Sequence, residues 1–149
     1  MGTLMTGDFL RWGALAVLAI VGMGVAAYLT YSHYADQPVA CGGLGECETV
    51  QNSEYAMLVS VPVALLGMRF CAGLLALVLA RVARLPLAEE WASLAAFSLT
   101  LMGVAFSAYL TYIELFVLNA ICIWCLALAA AITVAWLITL ADVLAPTNE

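Results

Sequence analysis

Cys122-Ile123-Trp124-Cys125 sets two thiols one helical turn apart at the start of a membrane-length apolar run, and Cys41 and Cys47 form a second pair in an earlier loop. A CxxC that opens a helix holds its first sulfur near backbone N–H groups with no intrahelical partner. These favour the thiolate, the form that attacks disulfides and binds metals. Two such pairs suit a thiol relay, in which each exchange passes through a mixed disulfide. The second pair lies in Cys41-Gly42-Gly43-Leu44-Gly45-Glu46-Cys47, whose glycines permit unusual backbone angles. That segment can close a small disulfide ring and still swing between partners, while the CxxC is anchored. Cys71 has no partner in sequence and reads as a packing residue inside an apolar run.

The elements that must position these thiols follow from composition. Of 149 residues, 66% are hydrophobic and 9% charged, a balance no water-soluble domain of this size needs for its core. A bilayer core about 30 Å thick takes roughly 20 apolar residues per helix. Four stretches qualify: Trp12–Tyr31, Val59–Ala80, Trp91–Tyr112 and Cys122–Ala141. They are unbroken by turn residues and lack the alternation of an outer-membrane barrel. The first exceeds the roughly 7–15 residues of a signal-peptide core and is kept as a helix. The expectation is an all-α integral membrane protein, one domain over residues 1–149: a four-transmembrane-helix bundle with a short amphipathic surface helix, Glu48–Met57, after the cysteine loop. Pro62 suits the first turn of the second span.

The net charge is −6, from acids scattered over loops and termini (Asp8, Asp36, Glu46, Glu48, Glu54, Glu89, Glu90, Glu149), which read as solvated flanks. With no Lys and no basic cluster, binding to nucleic acid or polybasic contact with lipid has nothing to rest on. Arg11, Arg81 and Arg84 lie at span ends, and the positive-inside rule puts those ends and both termini in the cytoplasm. The loop Ser32–Ser53 and the link Ile113–Ile121 then lie outside the inner or plasma membrane. All four redox cysteines thus face the oxidising compartment, where disulfides persist. Arg69 falls inside a span, where an Arg costs about 2.5–3.5 kcal/mol on insertion scales. It needs a counter-charge or a snorkelling path to the surface.

Ala27-Tyr28-Leu29-Thr30-Tyr31 returns as Ala108-Tyr109-Leu110-Thr111-Tyr112, and the same register puts Gly22 on Gly103, His33 on Glu114 and Cys41 on Cys122. The chain reads as two helix pairs, each ending one helix in tyrosines before a redox pair. The tyrosines suit an interfacial belt. His33 and Glu114, just beyond it, are ordinary edge residues or proton carriers for the thiol chemistry.

The Cys-x5-Cys loop pair, then Asn52-Ser53-Glu54-Tyr55, then Pro62 and Gly67, then Tyr-Leu-x-x-Ile-x-x-Phe-Val-Leu-x-x-x-Cys-Ile-x-Cys at 109–125, resembles the vitamin K epoxide reductase family. The similarity covers most of the chain. With no thioredoxin-like domain appended and no Lys, it is similar to a free-standing prokaryotic member. The resemblance implies that a reduced thioredoxin-fold partner attacks at Cys41, that Cys47 is released and attacks Cys122, and that Cys125 then faces a quinone of the menaquinone, ubiquinone or vitamin K type. It further implies that the Asn52 amide bonds a quinone carbonyl, with Ser53 assisting; on residue type alone both suit helix capping. Vertebrate members carry a Tyr where this chain has Ala129, which weakens the case for epoxide reduction. Ser60 stands where the family usually has Gly. The alternative reading of two cysteine pairs is soft-metal binding or transport, although no cysteine pair continues such a path to the cytoplasmic side.

Overall fold

The computed structural model describes residues 2–145. Glu149 lies outside them, as do the side chains of Glu89 and Glu90. Four long helices carry the fold: α1 (Gly2–Tyr34), α3 (Val63–Val82), α4 (Pro86–Tyr112) and α5 (Ile123–Leu144). Each contains a stretch long and apolar enough to cross a bilayer, and the protein is a multi-pass membrane protein. α1 packs along α3 and α5, and α4 packs along α5 and α3, closing a ring of four.

The buried stripe of α1 explains its place. Trp12, Leu15, Ala19, Gly22, Ala26 and Leu29 recur at alternating threes and fours and are all buried, and the small members let a neighbouring backbone approach. A Cβ on Gly22 would stand 2.8 Å from Cys71 Sγ, and one on Gly103 would stand 2.7 Å from the Phe70 ring. The two glycines matched by the internal repeat thus receive adjacent residues of α3, one from each side. Cys71 is a packing residue, as its sequence setting suggests. Between α4 and α5 the buried hydroxyls of Thr100 and Thr139 share a 2.8 Å hydrogen bond, and each also donates to, or stands within bonding distance of, a carbonyl of its own helix.

Helix ends follow local chemistry. α3 stops at a left-handed Arg84 (φ 52°) before Leu85-Pro86, and Pro86 opens α4, where its missing N–H costs nothing. The second span begins later than expected. Met57–Leu58 (β1) and Val61–Pro62 (β2) form a small antiparallel hairpin, Leu58 opposite Val61 and Met57 opposite Pro62. Val59 (φ 49°) and Ser60 (φ 68°) make its two-residue turn, the left-handed geometry that favours glycine. The link expected at Ile113–Ile121 is helical through Leu118: α4 runs on as a π-helical turn, Ile113–Leu118, until Asn119 adopts the left-handed conformation (φ 48°). Ile-Glu-Leu-Phe-Val-Leu holds no Gly or Pro to stop it. The surface helix is shorter than expected, Cys47–Gln51 (α2), followed by a 3-10 turn at Glu54–Ala56.

At the end of the bundle opposite the cysteines, Arg11 pairs with Asp142 at 3.7 Å and Ser93 donates to the same carboxylate at 2.6 Å. Arg81 lies over the Trp12 ring at 5.6 Å. Arg69 is exposed on α3.

Candidate active site

The four cysteines of the two pairs meet at one end of the bundle. Cys47 and Cys122 are buried together with Val50 and Ala120, and Cys41, Cys125 and Trp124 pack against them. Cys41 and Cys47 are joined as a disulfide with Cα atoms 6.1 Å apart, while Cys122 and Cys125 are free thiols. Cys47 is 1% exposed and Cys122 0%, whereas Cys41 is half-buried.

The loop expected to swing is docked on both sides of its ring. Before it, the Ala40 N–H donates to the Tyr28 hydroxyl at 3.0 Å and the Ala40 carbonyl accepts the Trp124 indole N–H at 2.8 Å. The Tyr28 and Trp124 rings meet at a tilt of 59° with centroids 5.5 Å apart. Within it, the Glu46 N–H donates to the Ile121 carbonyl at 2.8 Å. Gly45, at φ 125°, allows that approach, since a Cβ there would stand 2.5 Å from the Ile121 oxygen. Tyr28 therefore belongs to the site, while Tyr31, Tyr109 and Tyr112 are exposed.

Cys122 caps α5, its sulfur accepting the Cys125 N–H at 3.4 Å. A hydrogen bond from the Cys125 thiol lowers the Cys122 thiol from 9.0 to about 7, helped by the Cys125 N–H and by Gln51 and opposed by burial and by Glu114. The first cysteine of the motif is thus the ready thiolate, in keeping with its place at a helix start. Gln51 was not singled out by sequence reasoning. Its side-chain amide nevertheless donates to Cys125 Sγ at 3.7 Å. Glu114, an edge residue or a proton carrier on sequence alone, is 4% exposed. Its Oε2 accepts the Cys122 N–H at 3.2 Å. His33, its match in the repeat, instead packs edge-on to Tyr34 with ring centroids 5.6 Å apart.

A cavity of about 160 Å³ opens beside these groups, bounded by α2, the 3-10 turn, α3, α4 and α5. Cys125 stands in its wall with Phe70, Phe106, Leu110 and Ile132, and Gln51, Ser53, Tyr55 and Glu114 add polar atoms. An apolar slot with a few convergent polar groups suits a flat, weakly polar ring. Ser53 lines the slot and its hydroxyl donates to the Val50 carbonyl at 2.7 Å. Asn52 is exposed and lies between two lining residues without lining the slot itself. Its backbone N–H closes the C-terminus of α2 onto the Glu48 carbonyl. Ala129 lines the slot with no hydroxyl to offer. Among the described residues, no three His, Cys, Asp or Glu side chains converge as a metal cluster.

Comparison with known families matches residues 13–140 to the vitamin K epoxide reductase family. The matched region takes in both cysteine pairs and most of every spanning helix. With dithiol and disulfide gathered at one end of a membrane bundle, the match gives the protein its chemistry: an oxidoreductase of thiols within the membrane, belonging to the vitamin K epoxide reductase family.

Proposed function

We propose that the protein is a quinone-dependent thiol oxidoreductase. It takes electrons from a reduced thioredoxin-fold partner through Cys41 and Cys47, passes them to Cys122 and Cys125, and delivers them to a quinone of the menaquinone, ubiquinone or vitamin K type. The reading rests above all on Cys125, which packs into the cysteine cluster on one side and lines the cavity on the other. One sulfur therefore touches both the protein relay and the space for an electron acceptor.

Differences in access support the order of steps. Cys41 is the more accessible sulfur of its disulfide, so the partner's thiolate attacks there and Cys47 leaves. Cys122 has no exposed surface, which favours attack by its enclosed neighbour Cys47 over attack by a thiol in solution. Cleavage of a Cys122–Cys125 disulfide frees Cys125 toward the cavity. Two electrons move inward at each turn, and their direction follows the reduction potentials of the pairs.

Quinone is the substrate that accepts the electrons, and the cavity residues fit it: aromatic and aliphatic walls for the ring, and polar groups for its oxygens. Ser53 acts from the wall and Asn52 from the exposed position beside it, as hydrogen-bond donors to developing negative charge. The missing hydroxyl at Ala129 favours quinone over epoxide as substrate. The cysteine end faces the extracytoplasmic side, where disulfides persist. The end bearing Arg11, Arg81 and Arg84, with both termini, faces the cytoplasm. Together these support a role in making disulfide bonds.

The test is quinone reduction by the purified protein in detergent with a small dithiol as donor. Cys122→Ser and Cys125→Ser each abolish turnover. Cys41→Ser blocks the thioredoxin-fold partner and spares turnover driven by the small dithiol. Absence of wild-type turnover with all three quinone types would end this reading.

A further inference from the structure

Glu114 is a buried carboxyl that touches both thiols of the CxxC pair and the cavity at once. Its Oε2 accepts the Cys122 N–H at 3.2 Å, its carboxylate accepts from the Cys125 thiol, and it lines the cavity wall. The π-helical turn Ile113–Leu118 accounts for this position, since Ile113 and Glu114 are its buried residues. The Glu114 backbone carbonyl also accepts the N–H groups of Asn119 and Ala120, fixing the turn that leads to Cys122.

Only two hydrogen-bond donors to this carboxyl come from the motif, and one of them, the Cys125 S–H, exists only while the pair is reduced; that single proton faces Glu114 while Cys122 is protonated and Cys122 once it ionises. A buried carboxylate is tolerated where donors satisfy it and becomes costly when one is withdrawn. The titratable groups in contact with it are Cys122 and Cys125. Tyr55 also stands in the cavity wall, and α1, α3 and α4 present only apolar or hydroxyl side chains there. No cation among these lining residues compensates for the lost donor.

We propose that Glu114 is the resident proton carrier of Cys125, protonated while Cys122 and Cys125 form a disulfide and ionised while they are thiols. This rests on the reading that the pair cycles between those two states, and it adds the group that handles the proton. On reduction, the Cys47 thiolate attacks Cys122: the Cys47–Cys122 bond forms, the Cys122–Cys125 bond breaks, and its electron pair leaves on Cys125, which takes the Glu114 proton. The partner's second thiol frees Cys41 from their mixed disulfide; Cys41 then attacks Cys47, the Cys41–Cys47 bond forms, the Cys47–Cys122 bond breaks, and the Cys122 thiolate takes one proton from solvent. On oxidation, the two thiols and a quinone become the disulfide and a hydroquinone. Two electrons pass to the quinone and the Cys125 proton returns to Glu114. The hydroquinone's two protons balance the one lost from Cys122 and one drawn from solvent. Glu114 ends each cycle as it began.

A carboxyl that only positions Cys122 would hold one protonation state throughout, so the test reads protons rather than turnover. The midpoint potential of the Cys122–Cys125 pair is measured against a dithiol buffer without quinone, at pH values below 7, where Cys122 is protonated in its reduced form. In the wild type, reduction draws one proton from solvent for two electrons. In Glu114→Gln, which keeps an oxygen acceptor for the Cys122 N–H, it draws two, so the pH slope doubles. Glu114→Asp keeps the shallow slope. Infrared difference spectra carry the second readout: a protonated-carboxyl band in the oxidised wild type that disappears on reduction and is missing in Glu114→Gln. Equal slopes in wild type and Glu114→Gln, or no carboxyl band that follows the redox state, would overturn the proposal. If Glu114→Gln fails to fold, the wild-type spectra and Glu114→Asp decide alone. Since neither readout uses quinone, a failure of quinone turnover counts against the function proposed above and leaves this result intact.

Discussion

The indole of Trp124 donates to the carbonyl oxygen of Ala40 at 2.8 Å, tying the interior of the CxxC to the residue that precedes Cys41. Trp124→Phe removes this bond and keeps an aromatic ring to pack against Tyr28. A hydrogen bond of this kind contributes about 0.5–1.5 kcal/mol. Reduction of the Cys41–Cys47 disulfide by a small monothiol should accelerate about two- to tenfold, followed by quenched-alkylation mass spectrometry. An unchanged rate would mean that the bond does not hold the loop down.

Gly45 tests the other anchor. Ala at this position is strained at φ 125° and drives its Cβ against the Ile121 carbonyl, so Gly45→Ala undocks the ring from the CxxC. Electron passage from Cys47 to Cys122 slows by at least tenfold, while a small dithiol that reaches Cys125 through the cavity still supports quinone reduction. Equal losses in the two assays would place the damage elsewhere.

Gly22→Ala forces its new methyl onto Cys71 Sγ. Overpacking of this kind costs about 1–3 kcal/mol, read as a lower unfolding temperature in detergent. Cys71→Ala removes the clashing atom and restores most of the loss in the double variant, a coupling that a thermodynamic cycle isolates. Cys71→Ala alone leaves quinone turnover within about twofold of wild type, as befits a packing residue.

The reduced protein carries a thiolate that fills in as pH rises through about 7, because Cys122 ionises well below its ordinary 9.0. The folded value lies below the unfolded one. The stabilisation it contributes to the reduced fold is therefore complete above 9.0 and lost as pH falls through about 7. Ultraviolet absorbance of the thiolate, in a Cys41→Ser/Cys47→Ser background, should titrate near 7 and lose that step in Cys122→Ser. A single transition near 9.0 would show that the Cys125 thiol does not support the anion.

The four spans were legible because apolar runs of bilayer length have one helical solution in lipid. Their ends were less so. Val59 and Val61 extend the apolar run of the helix that follows, and the left-handed backbone at Val59 and Ser60 separates hairpin from span. Ile113–Leu118 was read as a link because it falls between tyrosines and cysteines, yet nothing in it stops a helix. The cysteines announced themselves by type and spacing. Gln51 did not, since its place beside Cys125 arises when α2 folds back over α5. The repeat pointed equally to His33 and Glu114, and the π-helical turn brings only Glu114 inside. Tyr28 and Tyr109 are likewise equal in sequence, and only Tyr28 meets the docked loop.

Asp142 joins three helices at once, binding Arg11 of α1 and Ser93 of α4 from its own position on α5. This knot lies at the other end of the bundle from both cysteine pairs. The helices that frame the slot are thus tied together at that end independently of the few contacts that hold the cysteine loop. A substitution that loosens the loop therefore leaves this tie between α1, α4 and α5 in place.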